Sequence, residues 1–328
     1  MRHLLWGVVV TPVIFLCIAI GLIASQRPLG DLGAETGAGL DFSGTLARAA
    51  VAPLDMVQTS ARDKATLTSG FVAGPEGAPL LVMVHGSGWH GGQFDGLART
   101  LAAKADVLTV NLRGHFNGPA PRGDVGYVGQ MEDDLADLIA AHSKDGQAVV
   151  LGGHSSGGGL VVRFAGGDHR DLIDGAVLMA PFLKHDAPVT RPNSGGWARP
   201  MTRRIVGLSM LNMVGIRALD HLVMIEFSMP KDVVDGPTGH QATLAYSWRL
   251  NQSFAPRAAY LEDVAALPEF VLIAGSKDES FVAEGYEPLM SGVTGKGHYH
   301  VVEGVGHLDI VDAPQTAAVM GAFLEQFR

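Results

Sequence analysis

Cysteine is nearly absent. Cys17 is the only one in 328 residues, so no disulfide can form within the chain. The shortage does not fix the redox compartment, because many exported bacterial proteins also lack disulfides. Charge is sparse as well. Charged residues make up 17% of the chain, and 24 Lys and Arg stand against 33 Asp and Glu, for a net charge of -9. There is no basic block, which argues against a nucleic-acid partner. Internal repeats and long low-complexity tracts are missing too. What is left is a chain that is 47% hydrophobic and long enough for one large α/β domain with an insertion, or for two domains.

Charge is wholly missing from Leu4 to Ala24, a run of 21 residues. At about 1.5 Å per residue, a helix of this length spans a hydrocarbon core of ~30 Å. The run is long for a secretory signal, and Ile23-Ala24-Ser25 is a poor cleavage site. Residues 1–24 are therefore expected to form a single-pass N-terminal transmembrane anchor rather than a cleaved signal segment. Arg2 and Arg27 flank the run. Their weak bias puts the N-terminus inside and the remainder on the extracytoplasmic side. Residues 25–53, rich in Gly and Ala with prolines at 28 and 53, read as a tether, and residues 54–328 as the folded domain.

Within that domain, apolar runs alternate with helical patterns. Asp55 to Gly74 alternates weakly around a turn at Arg62-Asp63-Lys64, as an antiparallel pair at a sheet edge would. Pro79–Val84, Val107–Asn111, Ala148–Leu151, Gly175–Ala180, Glu269–Ala274 and Gly297–Val302 read as buried strands. Gln93–Lys104, Met131–His142 and Gln315–Phe327 read as helices. The alternation predicts an α/β fold, with a mostly parallel central sheet and helices on both faces. About residues 183–262 interrupt it. Met201 to Phe227 there is apolar on nearly every helical face and rich in methionine, so a helical cap over the sheet is expected. Met210 and Met213 would face a substrate from that cap.

The most informative stretch is Gly153-His154-Ser155-Ser156-Gly157, between a buried strand and an apolar helix. A serine hydroxyl is a weak nucleophile, and it must face a base on one side and a substrate on the other. A sharp strand-to-helix turn exposes it, and flanking glycines let the backbone pass close by. Ser155 is the serine in register. The helix that follows aims unpaired N–H groups at a developing oxyanion. The backbone of Ser156 is one candidate donor, and that of Ser87, in the His85-Gly86-Ser87 loop, is the second. Two further loops end predicted strands: Asp278 follows one, and His307 lies after Gly306 beyond another. His307 would take the serine proton, and Asp278 would hold its tautomer. Gly86, Trp89 and His154 lie at the predicted pocket edge. His298 and His300 share one face of a strand, but no third ligand accompanies them, and neither a metal nor a cofactor is implied.

These motifs resemble those of the α/β-hydrolase superfamily. The resemblance rests on His85-Gly86, Arg113-Gly114-His115, Gly153 to Gly157, Gly275 with Asp278, and Gly306-His307, and it covers roughly residues 55–328. It is nearest to lysophospholipase and monoacylglycerol-lipase-type hydrolases. Phe116 and Asn111 depart from the usual glycine and aspartate of one such segment, which blurs the subfamily. The resemblance implies a serine hydrolase of carboxylic esters acting on a small-molecule or lipid-like substrate, without an obligate protein partner. A peptidase, amidase or acyltransferase of the same fold is the alternative among enzymes. A membrane-anchored, catalytically inactive binding module is the alternative of another class.

Overall fold

The computed structural model describes residues 2–30, 39–47, 51–119 and 121–328. Apolar five- to seven-residue runs form the centre of an eight-stranded sheet. Its strands are β1 (Asp55–Ser60), β2 (Thr66–Val72), β3 (Leu80–Val84), β4 (Asp106–Asn111), β5 (Val149–His154), β6 (Gly175–Met179), β10 (Glu269–Gly275) and β11 (Gly297–Val302). Strands β7 (Ala198–Pro200), β8 (Val223–Phe227) and β9 (Ala245–Ser247) form a separate three-stranded sheet. The large sheet runs β1-β2-β4-β3-β5-β6-β10-β11. From β4 to β11 it is parallel, and the expected antiparallel pair β1–β2 sits at its edge. Every residue of β3, β4, β5 and β6 is buried. Helices cover both faces of these strands, which therefore read as continuous apolar runs rather than as alternation.

The chain leaves β3 toward β4 on one side and returns to β5 on the other. This reversal opens a crevice at the carboxyl ends of β3 and β5, where open α/β sheets collect ligands. The loops holding Ser87, Ser155, Asp278 and His307 all follow the C-terminal ends of sheet strands.

The insertion between β6 and β10 differs from the all-helical cap expected. Only Thr202–Met213 of the apolar stretch is a long helix. Val223–Phe227 is instead the central strand of the small sheet, flanked by β7 and β9. Val223 and Ile225 are β-branched and Phe227 aromatic, which suits a pleated, half-buried surface. An apolar run this short does not distinguish strand from helix by composition.

The N-terminal reading is corrected. Among the described residues no helix is long and apolar enough to cross a membrane. This overturns the single-pass anchor and the extracytoplasmic placement that rested on it. The helix Arg2–Ala24 instead packs on the cap. Ala19 and Ile23 are buried in a cluster with Leu208, Leu211, Met224 and Trp248. Gly207 permits the close crossing, since a Cβ there would lie 2.5 Å from the Ala19 carbonyl oxygen. The tether differs as well. Ser43–Ala47 is a short helix, and Leu40 and Phe42 pack against the main core. Residues 31–38 and 48–50 of the expected tether lie outside the described residues.

Candidate active site

Strand β5 ends at His154, and the helix Ser156–Ala165 begins two residues later. Ser155, between them, has φ 56° and ψ -121°. A non-glycine residue in such a region costs on the order of 1–3 kcal/mol and persists only where its surroundings enforce it. The enforcement is visible. The Ser155 N–H donates to the Met179 carbonyl at 2.9 Å, and its carbonyl accepts from Gly159 and Phe182. Two glycines make the turn sterically feasible. A Cβ at Gly157 would stand 2.2 Å from the Val84 oxygen, and one at Gly153 would stand 2.4 Å from the Gly157 backbone.

The hydroxyl of Ser155 lies 3.0 Å from His307 Nε2, and His307 Nδ1 lies 2.7 Å from Asp278 Oδ2. Asp278 and His307 are each 2% exposed. Burial would raise the Asp278 carboxyl, but His307 and the N–H groups of Ser280 and Phe281 outweigh it and hold the carboxyl below its ordinary range. Those two amides donate to Oδ1 at 2.8 Å each. With Asp278 ionised, His307 Nδ1 carries the proton and donates it to the carboxylate. Nε2 is then the acceptor for the serine hydroxyl. Adjacent Glu279 is distinct in role. Its Oε2 accepts from the His307 backbone N–H at 2.9 Å.

His154 lines the cavity beside Ser155 and also packs against His307, with ring centroids 4.7 Å apart. Burial, then the nearby His307, lowers its pKa to about 3, so it is neutral. Its Nε2–H donates to the His307 carbonyl at 2.9 Å, and its Nδ1 accepts from Gln93 Nε2 at 3.3 Å. Gln93 Oε1 in turn accepts from the Gly86 N–H at 3.3 Å. Sequence reading missed Gln93. Its only signal was its place at the start of a predicted helix beside the His-Gly loop.

The Ser87 and Ser156 hydroxyls are 2.5 Å apart. Among the described residues neither backbone N–H of this pair donates to a protein acceptor. A cavity of about 300 Å³ opens over Ser87 and reaches Ser155, His307, Gly86 and Trp89. Its apolar wall combines Trp197, Met229 and Val233 of the cap with Phe42, Leu46 and Val51 from the segment before the domain. Phe42 and Trp197 are in ring contact at 5.8 Å. The cap methionines singled out from sequence are not part of this wall. Met210 packs beside the N-terminal helix, and Met213 is 78% exposed. Their helix faces Arg2–Ala24, so the cap turns other side chains toward the cavity. His298 lies on the edge strand β11 with Glu269 at 3.6 Å.

A mostly parallel sheet with its polar cluster gathered at the carboxyl ends of β3, β5, β10 and β11 is the α/β-hydrolase fold. The chain belongs to the alpha/beta hydrolase family, whose pattern it matches over residues 81–319. A pimeloyl-[acyl-carrier protein] methyl ester esterase of Chromobacterium violaceum is 40% identical over 103 residues, covering 31% of this chain and 37% of that esterase. An uncharacterized protein of Mycobacterium bovis is 25% identical over 256 residues, or 72% of each chain. Among solved structures, the monoacylglycerol lipase of Paleococcus ferrophilus superposes with a TM-score of 0.58 at 20% identity, over 80% of this chain and 98% of that one. At that identity the likeness is one of fold.

Proposed function

We propose that this protein hydrolyses carboxylic esters through an acyl-Ser155 intermediate. The observation that carries the reading is the Ser155–His307–Asp278 hydrogen-bonded chain at the floor of an apolar cavity, beside two unengaged amides. Similarity to a methyl ester esterase over part of the chain supports the ester as the scissile group.

The steps follow from the geometry. An ester carbonyl enters with its acyl group against Trp197, Met229 and Phe42. Ser155 Oγ attacks the carbonyl carbon as its proton passes to His307 Nε2. The imidazolium is stabilised by Asp278, and the carbonyl oxygen becomes an oxyanion facing the Ser87 and Ser156 amides. Collapse breaks the bond to the alcohol oxygen, which takes the proton from Nε2 and leaves. Water then repeats the sequence on the acyl-serine, releasing the acid and restoring the hydroxyl. The cavity lies at the small end of the ~300–1,000 Å³ range of ligand sites. It suits a short or medium apolar acyl group rather than two long chains.

The test is labelling with a fluorophosphonate probe, together with a p-nitrophenyl ester series of increasing chain length. The parent protein is expected to label, Ser155→Ala to lose labelling and turnover, and the short and medium esters to turn over fastest. Labelling that survives in Ser155→Ala, or a folded parent that neither labels nor turns over any ester, refutes the reading.

A further inference from the structure

Three residues, Gly86, Ser87 and Gly88, carry the loop after β3, and nearly every polar backbone group around Ser87 is held. The Gly86 N–H donates to Gln93 Oε1 at 3.3 Å, and the Gly86 carbonyl accepts from His85 Nδ1–H at 2.8 Å. The Gly88 N–H donates to the Tyr246 hydroxyl at 2.7 Å, and the Gly88 carbonyl accepts from the Thr243 N–H at 2.9 Å. The Ser87 N–H stands between these clamps. A planar trans peptide points its C=O and N–H in opposite directions. Fixing the Gly86 carbonyl on His85 therefore aims the Ser87 N–H the other way. Fixing the Gly88 N–H on Tyr246 sets the next peptide plane, and so the remaining freedom of Ser87.

Tyr246 and Thr243 do not belong to the sheet that carries the nucleophile. They come from the cap: Tyr246 lies in β9, and Thr243 lies just before it. Tyr246 is 1% exposed; besides the Gly88 N–H its hydroxyl meets His115 Nε2 at 2.6 Å and the side chain of Ser87 itself. Their direction can be assigned. His115 Nδ1 lies 3.1 Å from the Arg113 carbonyl, which can only accept, so Nδ1 carries the proton. His115 is buried and kept neutral by that burial, so its Nε2 is a bare acceptor. The Tyr246 O–H must donate to it, which leaves the phenol oxygen to receive Gly88. The chain of donors runs one way, from Gly88 through Tyr246 and His115 to Arg113. Rings pack edge to face around it, with His85–His115 at 4.7 Å and His115–Tyr246 at 5.2 Å.

We propose that Tyr246, backed by His115, is a positioning residue through which the cap aims the Ser87 amide into the oxyanion site. The inference rests on the ester-hydrolase reading above and adds a dependence that reading lacks. The cap not only walls the cavity but completes the electrostatic part of the site. A cap displaced from the sheet would leave Ser155, His307 and Asp278 paired while releasing the Gly88 peptide. Neither Tyr246 nor His115 touches a reacting atom in this scheme.

The experiment compares the parent, Tyr246→Phe and His115→Leu on one p-nitrophenyl ester and on its thionoester. Sulfur is a poorer hydrogen-bond acceptor than oxygen, so loss of an aimed donor penalises the ester more than the thionoester. Deleting an oxyanion donor outright costs about 10²–10³ in kcat. Misaiming one in Tyr246→Phe is expected to lower kcat for the ester about 10- to 100-fold, with KM within about twofold and a correspondingly smaller ester-to-thionoester rate ratio. The pH profile of kcat/KM should keep its shape, since His307 and Asp278 keep their partners. In His115→Leu the phenol retains Gly88 but loses its own acceptor, and a smaller change in the same direction is expected. It also serves where Tyr246→Phe is too unstable to assay. An unchanged rate ratio in a folded variant, or a loss carried by KM, overturns the proposal. A parent that fails to turn over either substrate instead refutes the ester-hydrolase reading, so the two failures are told apart.

Discussion

Acidification from pH 7 to pH 5 should destabilise this protein well before its depressed carboxylates titrate. His90 and His115 are held near pKa 4 and His154 near 3, in each case chiefly by burial. In the unfolded chain each returns to its ordinary value near 6.5. Between those values the unfolded chain binds protons that the folded protein refuses, so unfolding gains as the pH falls. Integrated from pH 7 to 5, this is worth about 2 kcal/mol per imidazole, or roughly 6 kcal/mol for the three. Asp95 opposes it. Burial raises its carboxyl to about 6, so the folded state binds that proton first and regains about 1 kcal/mol over the same interval. A net loss of roughly 4–5 kcal/mol from these four groups remains, a large share of a typical stability of about 5–15 kcal/mol. The depressed carboxylates Asp278, Asp106 and Asp124 lose their contribution only as pH falls below their unfolded values near 4, so they do not enter this window. Urea unfolding at pH 7 and pH 5, at fixed ionic strength, measures the difference. Stabilities that agree within about 1 kcal/mol would refute the assignment of these imidazoles as buried and neutral.

Two substitutions test the site locally. Asp278→Asn keeps the shape but lets an amide oppose His307 Nδ1–H, favouring the wrong tautomer. Steady-state ester hydrolysis is expected to fall by about 10⁴ in kcat, while circular dichroism stays that of the parent. Gly157→Ala places a methyl group 2.2 Å from the Val84 oxygen and 2.5 Å from that of His85, both backbone atoms that cannot turn aside. It should lower the melting temperature and reduce fluorophosphonate labelling by more than about tenfold, since the end of β3 and the Ser87 loop must shift together. Full labelling at the parent's melting temperature would mean that the turn is looser than it looks.

The central architecture was legible because it rests on local rules. Buried parallel strands need continuous apolar runs, and Leu80–Val84, Val149–Leu151 and Gly175–Met179 supply them. A strand-to-helix elbow needs glycines where a Cβ would strike backbone, and Gly153 and Gly157 stand there. The order Ser155, Asp278, His307, each just past a strand, follows from a sheet that gathers its loops at one edge. Other expectations failed where the deciding partner is remote in sequence. An apolar helix suits lipid or protein equally by composition, and only the approach of Gly207, Leu208 and Leu211 to Ala19 and Ile23 places Arg2–Ala24 on the cap. Val223–Phe227 became a strand because β7 and β9 pair with it on either side. Met210 and Met213 were plausible pocket residues until the orientation of their helix turned them away from the cavity.

The sequence by itself determined the sheet, the elbow and the strand-end placement of Ser155, Asp278 and His307, because backbone sterics and strand ends are written in short segments. Only the tertiary structure decided which side chains aim those groups. Gln93 links Gly86 to His154, Glu279 holds the His307 backbone, Phe42 and Leu46 close the cavity from outside the domain, and Tyr246 reaches Gly88 across 158 residues of chain. A hydrogen bond is specified by position and direction in space to a few tenths of an ångström. No spacing or composition along the chain encodes that, and it exists only once the cap has folded onto the sheet.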